Sequence, residues 1–329
     1  MGPVAIDARA AARPELGGVE RWARELAVRL PALRPGGYTV HAPSPAFSHR
    51  LGHAWEQGVL PVLARDAPWL LCPANVAPLA HPRVAVVLHD AAALREPGWY
   101  SPAYARLQRA LLPRIARRAR LVVTVSAFSA AELRELLGVE AVVVPGGVDH
   151  ERFRPGVAHA GRPPYVLTVA SRTARKNLGA LEEAARRLAG RGIALLAVGG
   201  GRPQFAEEAA VAGITQLGHV PDAELPGLYA GAAAFVLPSL YEGFGLPVLE
   251  AMACGTPVVA ADAAALPETC GGAALLADPA GPRAFADAID AALADPGPLR
   301  ERGLARAAAF SWERTARELD ALLHGGVAA

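Results

Sequence analysis

Short apolar runs alternate with helical stretches along this chain. In the first half the runs are Val4–Ile6, Tyr38–His41, Val84–Leu88, Leu121–Val125 and Ala141–Val144, with a helix expected through Val19–Leu30. The second half repeats the scheme with Tyr165–Ala170, Ile193–Val198, Ala234–Leu237, Pro257–Ala260 and Ala273–Leu276, separated by helical windows such as Asn177–Ala189. Alternation of this kind predicts a parallel sheet with helices on both faces, here twice over. Between the halves lies RFRPGVAHAGRPP, residues 152–164, rich in Pro and Gly and without periodicity, which suits a linker. At 329 residues the chain exceeds what one hydrophobic core supports. The expectation is therefore an α/β protein of two Rossmann-like, doubly wound domains, residues 1–155 and 156–308, followed by a last segment 309–329.

In open α/β sheets ligands bind beyond the carboxyl ends of the strands. The residues that follow the apolar runs are accordingly the ones to inspect: His89-Asp90, Ser126, Ser171-Arg172, Gly199-Gly200-Gly201, and Ser239 through Gly245.

Composition narrows the class. Hydrophobic residues make up 52% and charged ones 19%, and no uninterrupted apolar run reaches the length of a membrane span, which points to a soluble globular protein. The start, MGPVAIDARA, lacks the basic head and long apolar stretch of a signal peptide, so a cytoplasmic location is expected. Cys72, Cys254 and Cys270 are odd in number and far apart, and read as buried reduced thiols rather than as a disulfide framework or a metal site.

Charge is uneven: residues 1–155 hold 19 Arg against 13 Asp and Glu, and residues 156–329 hold 14 Lys and Arg against 18 Asp and Glu. The densest basic stretch carries Arg106, Arg109, Arg114, Arg117, Arg118 and Arg120. It reads either as a solvated helix face or as a surface for anionic headgroups or an anionic acceptor, which would put the protein at the inner face of a membrane. Of 33 Lys and Arg only Lys176 is lysine, which marks a place needing a compact ammonium rather than a planar fork.

The strongest local signal is Ser239-Leu-Tyr-Glu-Gly-Phe-Gly-Leu-Pro-Val-Leu-Glu250, a strand end, a glycine-rich loop and a helix start near Leu246. Gly243 and Gly245 let backbone approach a ligand closely, and a helix N-terminus offers unpaired N–H groups to a diphosphate. Glu242 and Glu250 are placed to accept hydrogen bonds from paired hydroxyls, as on a ribose or a hexose.

Those two glutamates, in the context EGFGLPVLEAMACGTPVV, resemble the E-x7-E pattern of family 4 of the retaining glycosyltransferases. The resemblance extends to GGVERW (17–22), VVLHD (86–90), VTVSAFS (123–129), RKN (175–177), LGHVPDAELPGLYAGA (217–232) and FSWERTA (310–316). It implies the GT-B fold, two Rossmann-like domains facing across a cleft, with acceptor binding in the first, the nucleotide sugar in the second, and a C-terminal helix packed back toward the first. It implies that Glu250 binds the ribose and Glu242 contacts the donor sugar, with Phe244 and the N–H groups near Gly245 and Leu246 beside them. Gly17 and Gly18 would approach the diphosphate, His89 would line the reacting centre, and the segment at His219 and Val220 would border the nucleobase. Lys176 matches the family's diphosphate-binding lysine. The family arginine five positions before it is Ser171 in this chain, so Arg172 or, failing that, Arg175 is expected to take its part.

Breaking the anomeric bond leaves negative charge on the diphosphate, which Lys176, an arginine and helix N–H groups are suited to meet. No metal ion or cofactor is then expected, and no D-x-D triplet occurs; the nucleotide sugar is a co-substrate. The acceptor is expected to be a glycan, a lipid-linked glycan or a small molecule, with no role for nucleic acid. The RKN variant resembles mannosyl- and rhamnosyl-type members, favouring a GDP- or dTDP-linked hexose. A dehydrogenase is disfavoured because Gly199-Gly200-Gly201-Arg202-Pro203-Gln204 lacks the last glycine of G-x-G-x-x-G. A hydrolysing epimerase would leave E-x7-E and RKN unexplained. The alternative from another class is a catalytically silent sugar-nucleotide-binding subunit.

Overall fold

The computed structural model describes residues 2–13, 17–44, 52–156, 163–201, 205 and 209–325; residues 157–162 of the expected linker lie outside these. The chain forms two compact units, one of residues 1–95, 106–147 and 312–329, the other of residues 96–105 and 148–311.

In the first unit β1 (Val4–Asp7), β2 (Tyr38–His41), β3 (Leu70–Cys72), β4 (Val84–Val87), β5 (Leu121–Thr124) and β6 (Val142–Val143) form a sheet in the order β2-β1-β3-β4-β5-β6. Every pairing in it is parallel. The central strands β1, β3, β4 and β5 are buried along their whole length, which is why they read as continuous apolar runs rather than as alternations. Leu60, Leu70, Val86, Leu112, Ile115 and Leu133 belong to one core cluster. The helix Trp312–His324 belongs to this unit and packs on the helix Gly18–Leu33. Trp22 meets Trp312 edge-on at 5.8 Å, and Asp320 accepts from Arg34 at 2.6 and 2.8 Å and from the Tyr38 hydroxyl at 2.8 Å.

The second unit has β7 (Tyr165–Val169), β8 (Ala194–Val198), β9 (Ile214–Gly218), β10 (Ala234–Leu237), β11 (Val258–Ala261) and β12 (Leu275–Ala277) in the order β12-β11-β10-β7-β8-β9, again all parallel. Here the connections reverse direction between β7 and its neighbour β10, and the crevice beyond the carboxyl ends of such a pair is where an open α/β sheet takes its ligand.

Two strands are absent from the apolar runs read in the sequence. β3 is only three residues long, Leu70–Cys72, and β9 is a sheet-edge strand with one fully buried residue in five, so neither has the length or the pattern of a core strand. Among the described residues no helix is long and apolar enough to cross a membrane.

Candidate active site

The loops after β7 and β10 are tied together at three points, one of which also reaches the segment after β12. The Leu240 N–H donates to the Arg175 carbonyl at 2.9 Å. The Asn177 amide donates to the carbonyls of Pro238 and Pro279 at 3.2 and 3.1 Å. Lys176 Nζ donates to Glu242 Oε1 at 2.5 Å, with both side chains largely buried. Lys176 is presented by a 3-10 turn, Ala174–Lys176, that ends on Asn177 at φ +52°, a left-handed conformation asparagine tolerates better than most residues.

Burial by itself pushes the Glu242 carboxyl up. The charges of Lys176 and Arg175, with the hydrogen bond from Lys176, outweigh it and hold the carboxyl below the ordinary glutamate range. Glu242 is thus a carboxylate embedded between two cations. Arg175 also lies over the Phe205 ring at 5.7 Å, whereas Arg172 stands half-buried earlier in the same loop, beside Ser171. The second cation acting on Glu242 is Arg175.

Beyond Glu242 the chain turns through Gly243 and Phe244 into the helix Leu246–Ala253, whose N-cap is Gly245 at φ +107°. A Cβ at Gly245 would meet the Leu266 side chain at 2.8 Å, so the turn needs glycine for space as well as for conformation. The Phe244 carbonyl accepts from the Thr269 hydroxyl at 2.5 Å, and the Glu242 carbonyl accepts from the Ala265 N–H at 3.3 Å, bracing the loop from its other side. Glu250, one turn into the helix, is buried and accepts a hydrogen bond from the Tyr229 hydroxyl at 3.0 Å. Val220 follows β9 and is half-buried. Gly199, at the end of β8, has φ +142° and leaves no room for a side chain against the Ala170 carbonyl.

His89, Gly17 and Gly18 belong to the first unit. His89 follows β4 and is buried, with Nε2 2.8 Å from the Pro73 carbonyl and the ring edge-on to Trp22 at 5.4 Å. A carbonyl can only accept, so Nε2 carries the proton and Nδ1 is left as the acceptor nitrogen. Burial lowers the imidazole pKa despite the opposing pull of the Pro73 carbonyl, Asp90 and Glu20, which keeps the ring neutral. Its backbone is fixed as well: the His89 N–H donates to Asn75 Oδ1 at 2.7 Å and its carbonyl accepts from Ser129 Oγ at 3.0 Å. Gly17 caps the helix Gly18–Leu33 and donates its N–H to Glu20 Oε2 at 3.0 Å, while Arg13 holds the other Glu20 oxygen at 3.0 Å.

Two family profiles cover most of the chain, "Glycosyltransferase Family 4" over residues 62–152 and "Glycosyl transferases group 1" over residues 163–295. The chain belongs to the family 4 glycosyltransferases of group 1. The O-antigen chain mannosyltransferase B of Escherichia coli is 45% identical over 104 residues, which is 30% of this chain and 27% of that protein. The D-inositol 3-phosphate glycosyltransferase of Nocardia farcinica is 34% identical over 298 residues, 81% of this chain and 64% of that protein. The matches thus span less than two thirds of these relatives' lengths. Among solved structures, sucrose-phosphate synthase from Thermosynechococcus elongatus superposes with a TM-score of 0.79 at 22% identity, covering 99% of both chains, and establishes the GT-B fold.

Within this family 4 chain, three supporting residues escaped the sequence reading: Tyr229 against Glu250, Asn177 between the two loops, and Asn75 against His89. Asn177 had a local signal, being the last residue of RKN, and Tyr229 lies inside the LGHVPDAELPGLYAGA match. Asn75 had none, because its partner is 14 residues away on another strand end.

Proposed function

We propose that this protein is a retaining, metal-independent hexosyltransferase that moves a sugar from a nucleoside diphosphate to a glycan, a lipid-linked glycan or a small-molecule acceptor. The observation that carries the reading is the buried Lys176–Glu242 pair at the point where the second sheet reverses. Without ligand the ammonium and the carboxylate satisfy one another. A bound diphosphate competes for Lys176, which releases Glu242 to accept from a sugar hydroxyl beside the reacting carbon.

As the anomeric carbon–oxygen bond breaks, the electron pair goes to the diphosphate. Lys176, Arg175 and the N–H groups at Gly245 and Leu246 meet that charge, and a fixed array of this kind costs no reorganisation at the moment of reaction. The leaving phosphate takes the proton of the attacking acceptor hydroxyl on the same face, which retains configuration. Glu250, held by Tyr229, binds the ribose. Neutral His89, Gly17 and Gly18 take the parts in the reaction that the resemblance to the family implies for them. The cationic role falls to Arg175 in preference to Arg172, on the strength of its action on Glu242.

A mannosyl-type donor is favoured by the RKN segment and by the name of the Escherichia coli relative. Peripheral contact with an anionic membrane is supported by Arg106, Arg109, Arg114, Arg117, Arg118 and Arg120, all of them exposed. The test is a thermal-shift screen of GDP, UDP and dTDP and their sugars, followed by donor hydrolysis and the anomeric configuration of the product by NMR, with and without excess chelator. Ligand stabilisation and hydrolysis that survive chelation are expected. Stabilisation without any turnover would favour the silent subunit, and activity abolished by chelator and restored by magnesium would sink the metal-free mechanism.

A further inference from the structure

The stretch Glu96–Ala105 comes from the first half of the sequence yet belongs to the second unit. Tyr100 is its anchor: it is buried, forms an antiparallel bridge with Phe205, and packs its ring on Phe205 at 5.3 Å and on Tyr104 at 5.4 Å. Phe205 in turn lies under the Arg175 guanidinium. The preceding residue, Trp99, closes the 3-10 turn Pro97–Trp99 and meets Tyr241 edge-on at 6.1 Å. One short segment thus reaches both charged parts of the candidate site, Arg175 through Phe205 and Glu242 through its neighbour Tyr241. Tyr100 and Tyr104 account for the anchoring. Trp99 remains half-buried, with part of a large ring open to water.

A hexose has hydroxyl edges and an apolar face of C–H groups. Small-molecule sites pair a few directed polar groups with aromatic walls, and indole is the largest such wall a side chain offers. Glu242 and Lys176 are suited to the hydroxyl edge, and of the aromatic rings of this region Tyr241 and Phe244 are buried, whereas Trp99 is only half-buried. We propose that Trp99 is a specificity-determining residue whose indole stacks on one pyranose ring beside the Lys176–Glu242 pair. This rests on the transferase reading above and assigns that site a sugar platform. The ring belongs either to the donor hexose or to a sugar of the acceptor, and the chemistry of stacking is the same for both.

Calorimetry on the full chain separates these sources, using GDP and GDP-mannose, with UDP and UDP-glucose in parallel, and methyl α-D-mannopyranoside titrated onto the nucleoside diphosphate complex. Trp99→Ala is expected to leave nucleoside diphosphate affinity within about twofold while weakening one sugar-bearing probe by about fivefold or more, and Trp99→Phe to recover most of that loss. A loss confined to the sugar nucleotide assigns the donor ring. A loss confined to the methyl glycoside assigns the acceptor ring. Unchanged binding of both overturns the proposal, and so does an equal loss of nucleoside diphosphate itself, because Trp99 would then be supporting the loop rather than touching sugar. Should Trp99→Ala fail to fold by circular dichroism, Trp99→Leu, which fills the space without a π face, carries the same comparison. A parent protein that binds none of the nucleotides refutes the transferase reading before any substitution is made, and this proposal with it.

Discussion

The two units are built alike, each a six-stranded parallel sheet among the described residues, but they hold their candidate functional groups in opposite ways. In the second, charge is met by charge: Glu242 stays ionised because Lys176 and Arg175 surround it, and all three come from two loops that the strand order brings together. In the first, His89 is kept neutral and is held by uncharged partners, the Pro73 carbonyl, Asn75, Ser129 and the edge of Trp22. An ionic site tolerates water and invites an ionic ligand. A neutral one relies on burial and shape, so its partners come from many places in the chain.

The hardest blow to this contrast is removal of the cation. Lys176→Ala should lower kcat/KM by roughly 10²-fold or more, since developing phosphate charge loses a fixed partner, and should also lower Tm, because the buried Glu242 loses its hydrogen-bonded cation. Turnover within a factor of two of the parent would mean that the single lysine of the chain is a compositional accident.

Next comes a crossover between the two glutamates. Glu250→Ala should weaken nucleoside diphosphate and donor alike, by roughly 10- to 100-fold, the cost of one charge-assisted hydrogen bond. Glu242→Ala should depress turnover and leave nucleoside diphosphate affinity nearly intact. Equal losses in calorimetry would show that the two carboxylates have been assigned wrongly.

The arginines sharpen the point. Arg175→Ala should reduce kcat/KM by about tenfold, whereas Arg172→Ala should change it by less than about threefold, because the Arg175 charge acts on Glu242. The reverse order in steady-state kinetics restores Arg172 to the role.

The smallest effect is expected in the first unit, as a dependence of stability on acid. The folded pKa of His89 lies below its ordinary value of 6.5, so between the two values the unfolded chain binds the proton and the folded chain does not. Stability is complete above about pH 6.5 and is lost as pH falls toward the folded value. His89→Gln should flatten that part of a Tm-against-pH curve; an unchanged slope would mean that His89 is not held neutral.

Periodicity and motif spacing in the sequence determined the two doubly wound sheets and the helix start at Leu246, because parallel strands buried on both faces must be apolar throughout and phosphate loops need glycine at set offsets, while the grouping of Lys176 with Glu242 and Glu250 came from the resemblance to the family. What only the tertiary structure decided was which groups meet. Spacing favours Arg172, next to the position of the family arginine, whereas in the structure the bond from the Leu240 N–H to the Arg175 carbonyl joins the loops after β7 and β10, and it is the Arg175 charge that acts on Glu242. The tautomer of His89 depends on Pro73, 16 residues earlier, and the place of Trp99 depends on Tyr100 bridging to Phe205, over a hundred residues later. Local propensity carries no information about partners so far apart; packing chooses them, through the few arrangements in which most buried polar groups find a bond.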